Sequence, residues 1–362
     1  MKYKSLKIGE LTANIPLVQG GMGVGISLSG LAGAVALEGG VGIMSTAQIG
    51  FREPEWSTNP IETNLKAIAK ELKKAREIAP KGILGFNIMV ATKRYEDYVR
   101  AAVKAGADII VSGAGLPVDL PKYVEGFKTK IAPIVSSVKA TALICKLWVR
   151  RYNRVPDMVV IEGPKAGGHL GFTPEEAEAM TRAEYDTEIV KIIDEVKSCA
   201  KANKCEIPVI VAGGIYSDED VRHVIKDLKA DGVQISTRLV TTKECDAPLN
   251  YKEAYIKAGK DDIIITKSPV GMPGRAIANK FLANQGKEKV KIEKCHQCLE
   301  KCNPTQIPYC ITEALVNAAK GNLDNALIFC GSEAWKNDII NTVHDVVEEL
   351  FFDREVAPMK GI

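Results

Sequence analysis

Short runs of apolar residues recur along the chain, and each run is followed by glycines or by a stretch with helical periodicity. Within a run the apolar residues are continuous rather than alternating, which is typical of parallel strands that are covered on both faces. The eight runs are residues 15–19, 41–45, 82–89, 108–112, 131–136, 158–162, 208–212 and 232–236.

The segments between these runs carry helical patterns. After the sixth run, Ile189, Ile192, Ile193 and Val196 lie on one face of a helix, and Ser217 is placed to cap a helix after the seventh run. Eight strands alternating with helices predict an α/β protein, specifically a (β/α)8 TIM barrel. An open doubly wound sheet shows the same alternation, but eight uninterrupted repeats favour the closed barrel.

The pattern loosens after the eighth run. Residues 245–290 read as an insertion with a helix near 251–258, a strand at 263–266 and a Pro/Gly loop at 268–275, and we expect the insertion to cover the mouth of the barrel. The sequence therefore divides into a barrel with its insertion, residues 1–290, and a Cys-containing helical C-terminal extension, residues 291–362. An apolar stripe near the end is predicted to pack against the core, and it consists of Ile339, Ile340, Val343, Val346, Val347 and Leu350.

Charge and composition exclude several classes of partner. The 362 residues are 46% hydrophobic and 26% charged, with a formal net charge of only +3, so neither nucleic acid nor a membrane is an expected partner. The N-terminus shows no apolar signal core, and no run of about 18 apolar residues occurs, which favours a cytoplasmic protein. The expected partner is a small-molecule substrate, and a homodimer is left open.

The sixth run delivers a glycine-rich loop with a histidine at its tip. Gly163, Gly167, Gly168 and Gly171 allow backbone N–H groups to approach a flat or anionic ligand, and His169 stands where it can touch that ligand. The alternative is a tight turn with a surface histidine. The recurrence of glycines after other runs favours the ligand site.

The seventh and eighth runs are where barrels of this class usually hold a phosphate. Gly213 and Gly214 follow the seventh run, and Ser236 and Thr237 follow Gln234 in the eighth. Backbone N–H groups and two hydroxyls can hold a dianion there without lysine or arginine. A simple turn at the two glycines is the alternative. A phosphate site under a long, apolar-floored mouth favours FMN over a free sugar phosphate.

Five motifs together resemble the nitronate monooxygenase family, once called 2-nitropropane dioxygenases. They are Gln19–Gly23, Phe86–Val90, Ala166–His169, Val211–Ile215 and Gly232–Thr237, and the match runs from about residue 10 to residue 280. The resemblance implies a (β/α)8 barrel that binds FMN and oxidises alkyl nitronates with molecular oxygen. Related members are NAD(P)H-dependent flavin enoyl-acyl-carrier-protein reductases and quinone reductases.

The resemblance also implies roles for single residues. Asn87 corresponds to the asparagine near the flavin ring, Gly167 lies in the loop beside the ring, and His169 corresponds to the catalytic histidine. An imidazole with an ordinary pKa of about 6.5 is available in either protonation state near neutrality. The predicted cofactor-binding residues are Gly21, Met22, Gly23, Asn87, Glu162, Gly167, Gly168, Gly213, Gly214, Gln234, Ile235, Ser236 and Thr237.

Glu162 departs from the pattern of many nitronate monooxygenases. They have glutamine at this place, whereas the flavin-type enoyl reductases resemble this sequence in having glutamate. An NAD(P)H-dependent enoyl-thioester or quinone reductase therefore stays open beside the nitronate monooxygenase. A non-redox barrel that binds a phosphorylated metabolite ranks lower, because only Glu162 and His169 offer acid–base chemistry close together.

Five of the nine cysteines follow residue 290, and four of them are clustered. Cys295, Cys298, Cys302 and Cys310 have two, three and seven residues between them, a spacing that resembles iron–sulfur ligation more than paired zinc hooks. The segment also resembles the one that follows the barrel in dienoyl reductases with a flavin and a [4Fe–4S] cluster, where the last spacing is longer. Zinc, unligated thiols, and Cys330 as the fourth ligand are alternatives.

Overall fold

The computed structural model describes residues 1–285 and 292–353, and it is built around a closed barrel of eight parallel strands. The strands are β1 (Leu6–Ile8), β2 (Leu11–Ala13), β3 (Leu17–Gln19), β4 (Val41–Ser45), β5 (Ile83–Met89), β6 (Ile109–Gly113), β7 (Lys130–Val135), β8 (Val159–Glu162), β9 (Gly168–His169), β10 (Val209–Ala212), β11 (Gly232–Ile235), β12 (Ile263–Lys267) and β13 (Pro273–Ile277). The helices are α1 (Ser29–Leu37), α2 (Pro60–Ile78), α3 (Tyr95–Ala105), α4 (Leu120–Tyr123), α5 (Val138–Tyr152), α6 (Pro174–Ala179), α7 (Arg182–Ala202), α8 (Asp218–Arg222), α9 (Thr237–Val240), α10 (Leu249–Lys257), α11 (Lys280–Ala283), α12 (Ile311–Ala319) and α13 (Val343–Phe351).

The barrel order is β3, β4, β5, β6, β7, β8, β10 and β11, and β11 pairs with β3 to close the ring. Each of the eight predicted runs overlaps one of these strands, so the predicted TIM barrel is confirmed. All pairs within the ring are parallel, as the continuous apolar runs indicated. Ser217 caps α8 as expected, since its side chain accepts the N–H of Asp220.

The interior of the barrel is filled at one end. Val18, Ile43, Ile109 and other inward-facing residues form an apolar cluster, and the hairpin of β1 and β2 adds Leu6 and Ile8 to it. This hairpin therefore closes the end of the barrel at which the strands begin. Open space remains at the opposite end, where the strands deliver their loops.

The insertion forms a small antiparallel sheet above the barrel. β13 pairs with β12 on one side and with β9, the loop of the sixth run, on the other. The prediction of a loop over residues 268–275 was therefore wrong for its last three residues. Pro273 and Gly274 are weak strand formers, and hydrogen bonds to two partner strands override that local preference.

The extension packs on the barrel and shares its core. Val343, Val346, Val347 and Leu350 are buried on α13 as predicted. Ile339 and Ile340 precede α13, which begins only at Val343, and Ile339 is 56% exposed. The predicted stripe was therefore wrong for these two residues. The predicted boundary between residues 290 and 291 lies outside the described residues, as do residues 354–362. Within residues 1–285 and 292–353, no helix is both long and apolar enough to span a membrane.

Candidate active site

A cavity of about 1140 Å³ lies over the carboxyl ends of the barrel strands. Loops from the barrel, the insertion and the extension all contribute to its walls. The fold thus gathers every predicted site residue of the barrel around one space. These lining residues are Gly21, Met22, Gly23, Asn87, Glu162, Gly167, Gly168, His169, Gly213, Gly214, Gln234, Ile235, Ser236 and Thr237.

One end of the cavity presents backbone donors. The N–H groups of Gly214, Ile215 and Thr237 donate to no acceptor within the described parts of the chain. Gly213 adopts φ of 99°, and a Cβ there would come within 3.0 Å of the Ala166 nitrogen, so this turn requires glycine. Unpaired N–H groups lining a cavity suit an anion such as a phosphate.

A second wall presents side-chain amides. Gly21 lies directly over Asn87, since a Cβ at Gly21 would fall 2.2 Å from the Asn87 Cβ. Asn87 accepts from Thr46 through its backbone oxygen, which leaves its amide group facing the cavity. Gln234 lies beside Gly20 in the same wall. These amides can donate to, or accept from, the polar edge of a flat ligand.

His169 is held by the insertion. It lies on β9 opposite Gly274, its Nε2 is 2.8 Å from the Ser268 hydroxyl oxygen, and its ring meets the ring of Phe329 edge to face at 5.0 Å. Burial lowers the pKa of His169 to about 4. The expectation that either protonation state is accessible near neutrality was therefore wrong, because the imidazole is neutral there.

Glu162 is the acid–base group that titrates near neutrality. It ends strand β8, and burial raises its pKa to about 7. Its carboxyl makes no hydrogen bond to any residue that the structure describes. Glu162 in turn raises the pKa of Tyr185, after the larger effect of burial, and the Tyr185 hydroxyl is buried without a partner in the described chain. The carboxyl is therefore free to hold or release a proton at the cavity wall.

Arg275 supports the glycine-rich loop from behind. Its buried guanidinium donates through Nη1 to the carbonyl oxygens of Pro164 at 2.8 Å and Ala166 at 2.6 Å. No sequence pattern predicted this residue, because a single arginine inside a Pro/Gly loop gives no local signal. Phe329 and Gly331 of the extension were not predicted either; Gly331 donates its N–H to the Thr237 hydroxyl at 3.1 Å.

The cysteine segment lies at the mouth of the cavity. The Lys93 N–H donates to the Cys298 carbonyl at 3.1 Å, and the Glu300 N–H donates to the Ala91 carbonyl at 3.0 Å. Cys298 and Cys302 thereby line the same cavity as His169. Cys330 lies elsewhere, with its backbone against Gly167.

Comparisons with known proteins agree with this architecture. A probable nitronate monooxygenase of Staphylococcus saprophyticus is 24% identical over 305 residues, which cover 78% of this chain and 81% of that protein. One from Staphylococcus aureus strain Newman is 32% identical over 126 residues, which cover 35% of this chain and 33% of that protein.

Two solved structures share the fold over most of their length. FabK from Thermotoga maritima has a TM-score of 0.70 and 23% identity, covering 93% of this chain and 91% of that one. Nitroalkane oxidase from Streptomyces ansochromogenes has a TM-score of 0.69 and 17% identity, covering 93% and 94%. The family model described as nitronate monooxygenase matches residues 4–353. The chain therefore belongs to the nitronate monooxygenase family, and it is a flavin-dependent oxidoreductase.

Proposed function

We propose that this protein binds FMN and oxidises alkyl nitronates with molecular oxygen. The observation that carries the proposal is the neutral His169, held by Ser268 in the cavity that also contains the unpaired backbone donors. A nitronate is already deprotonated, so its oxidation needs no strong base at the site. A neutral imidazole N–H can donate a hydrogen bond to an anionic nitronate oxygen and orient the substrate.

The donor set favours FMN as the flavin. The N–H groups of Gly214, Ile215 and Thr237, with the Ser236 and Thr237 hydroxyls, form one compact site for a single phosphate. The Asn87 and Gln234 amides would meet the polar edge of the ring. A bound flavin supplies electron transfer from the substrate to oxygen. The role of the chain is to bind, to orient and to exclude water.

A second candidate is the reduction of an enoyl thioester or a quinone with NAD(P)H. Glu162 favours it, because a carboxyl with a pKa of about 7 can deliver a proton to a reduced acyl chain near neutrality. The cavity, at about 1140 Å³, also exceeds the roughly 300–1,000 Å³ of ordinary ligand sites and leaves room beside a flavin. Val270, Leu315 and Phe329 make part of that space apolar. The family assignment favours either reaction over a non-redox barrel enzyme.

Anaerobic mixing separates the two reactions. We expect propionate 3-nitronate to bleach the bound flavin rapidly, and oxygen to restore the colour with release of nitrite, while NADH and NADPH bleach it slowly. If NADH or NADPH bleaches the flavin rapidly and the nitronate does so slowly, the protein is a reductase and the proposal is wrong. Mass analysis of the flavin released by acid tests the FMN assignment separately, and FAD would contradict it.

A further inference from the structure

The cysteine segment is fixed against the barrel by its backbone. Two hydrogen bonds and a short antiparallel pairing of Thr92 with Leu299 hold it to the loop after β5. The Trp56 ring also stacks on the His296 ring at 4.6 Å between centroids, with an interplanar angle of 12°. The barrel therefore supports the segment from two sides, and the positions of its cysteines are set by the fold.

The first turn of α12 lies beside the cysteine segment. Cys310 is the N-cap residue of this nine-residue helix. Ile311 and Thr312, which follow it, line the same cavity as Cys298 and Cys302. Backbone donors and the positive end of a helix dipole stabilise a thiolate, which is the form that binds metal.

Cys310 lies close to the loop that carries Cys295 and Cys298. Its sulfur is within 4.8 Å of a ring nitrogen of His296, which directly follows Cys295 in the chain. Cys298 and Cys302 line one cavity together with the first turn of α12. The fold therefore brings the cysteine loop and the start of α12 to the same part of the cavity mouth.

The spacing of the sulfur atoms argues against a single zinc ion bound by these four cysteines. Four thiolates around one zinc ion stand about 3.8 Å apart, given a Zn–S bond of about 2.3 Å in a tetrahedron. Among the described residues, no three of these cysteines have sulfur atoms within 4.8 Å of one another. In an iron–sulfur cluster each thiolate binds a different iron, so the sulfur atoms stand farther apart.

A competing donor set shares Cys310. His296, Cys310 and Glu313 each offer a ligand atom within 4.8 Å of the others, and the buried Nδ1 of His296 has no hydrogen-bond partner in the described chain. This set would suit a single zinc ion. It would leave the thiols of Cys295, Cys298 and Cys302 without a role, although Cys298 and Cys302 line the same cavity as the first turn of α12.

We propose that Cys295, Cys298, Cys302 and Cys310 bind a [4Fe–4S] cluster at the mouth of the flavin cavity. The cluster is a second prosthetic group, and its binding does not depend on which substrate the flavin oxidises or reduces. Because Cys298 and Cys302 line the cavity itself, the cluster borders the flavin site.

Metal analysis of anaerobically purified full-length protein tests the proposal. We expect about four iron and four acid-labile sulfide per chain, and a reductive titration that consumes about three electrons, two for the flavin and one for the cluster. The dithionite-reduced protein should show the electron paramagnetic resonance signal of a reduced cluster. Protein that keeps its flavin but contains no iron after anaerobic reconstitution would overturn the proposal.

Matched variants identify the ligands. Cys298→Ser and Cys302→Ser should each lower the iron content at least fivefold, whereas Cys205→Ser, a partly buried thiol outside the segment, should leave it unchanged. His296→Ala should also retain the cluster. Flavin content and circular dichroism report on folding for each variant. If the protein instead contains one zinc ion per chain, and the zinc is lost in His296→Ala but retained in Cys298→Ser, the cluster proposal is wrong and the single-ion site is correct.

Discussion

His169 Nε2 and Ser268 Oγ lie 2.8 Å apart, although the two residues are separated by 99 positions in the chain. Ser268 is buried in the turn between β12 and β13, and β13 pairs with the short strand that carries His169. The insertion therefore fixes the direction of the imidazole ring. The barrel alone would present this histidine on an unsupported loop.

Ser268→Ala should slow turnover and leave flavin binding intact. Loss of one hydrogen bond of about 1 kcal/mol allows the His169 ring to rotate, so we expect kcat to fall about fivefold with little change in the flavin content. Steady-state kinetics with a nitronate measure this effect. Ser198→Ala, on the exposed side of α7, is the control. An unchanged kcat would show that Ser268 does not position the ring.

His169→Ala should have a larger effect on the same measurement. Removal of the group that orients the substrate should lower kcat about 100-fold, while the flavin absorbance per chain stays at the wild-type value. His344→Ala is the matched control, because His344 is exposed on α13 and pairs with Glu38 far from the cavity. Equal rates for wild type and His169→Ala would remove the histidine from the reaction.

Glu162 and His169 should have opposite effects on the pH dependence of stability. Burial raises the pKa of Glu162 from 4.5 to about 7, so the folded protein binds the extra proton between these values and the free energy of unfolding falls as pH rises. Burial lowers the pKa of His169 from 6.5 to about 4, so the unfolded protein binds the extra proton there and the free energy of unfolding rises with pH. The two slopes oppose each other between about pH 4.5 and 6.5.

Urea unfolding of the flavin-free protein should show how Glu162 and His169 each change the pH dependence of stability, when single variants are compared with wild type. The stability of Glu162→Gln relative to wild type should increase by about 1–3 kcal/mol between pH 4.5 and 7, with cavity water screening part of the full effect. The stability of His169→Gln relative to wild type should increase by a similar amount as pH falls from 6.5 to 4. Variant curves parallel to the wild-type curve would show that these groups are not buried.

Local patterns were enough to predict the barrel and the barrel-derived part of the site. Every strand of the ring overlaps a mostly apolar run, and the lining glycines of the barrel follow such runs, so each can be identified without tertiary information. The carboxyl ends of parallel strands meet by geometry. This geometry brings Gly21, Asn87 and Gly213 to one cavity although they are far apart in sequence.

The remaining features depend on pairings that no local pattern encodes. β13 exists because it has strand partners on both sides, and Arg275 matters because β13 places it behind Pro164 and Ala166. The neutral state of His169 follows from burial by the insertion and by Phe329, which an isolated histidine in a sequence does not reveal. The sequence therefore predicted that His169 faces the cavity, but not that its imidazole is neutral.

Gly213→Ala should weaken flavin binding through a steric effect. The new Cβ would lie 3.0 Å from the Ala166 nitrogen in a left-handed backbone, and would disturb the turn that presents the Gly214 N–H. We expect the flavin dissociation constant to rise at least tenfold. Gly126→Ala is the control, since Gly126 has φ of 82° but no atom within 4 Å of its added Cβ. If both variants bind flavin as wild type does, the turn is not the phosphate site.

Arg275→Met should destabilise the protein and weaken flavin binding together. The change leaves the carbonyl oxygens of Pro164 and Ala166 without their buried donor, at a cost of about 2–4 kcal/mol for the pair, and frees the loop that carries Gly167. Arg222→Met is the matched control, because Arg222 is exposed and its nearest carboxylate contact, with Asp227, is 3.7 Å long. Urea unfolding and flavin titration measure the two effects. Arg275→Lys should recover part of the stability and part of the flavin affinity, since an ammonium can still donate to one carbonyl. If Arg275→Met loses flavin affinity but keeps wild-type stability, Arg275 contacts the ligand rather than supporting the loop.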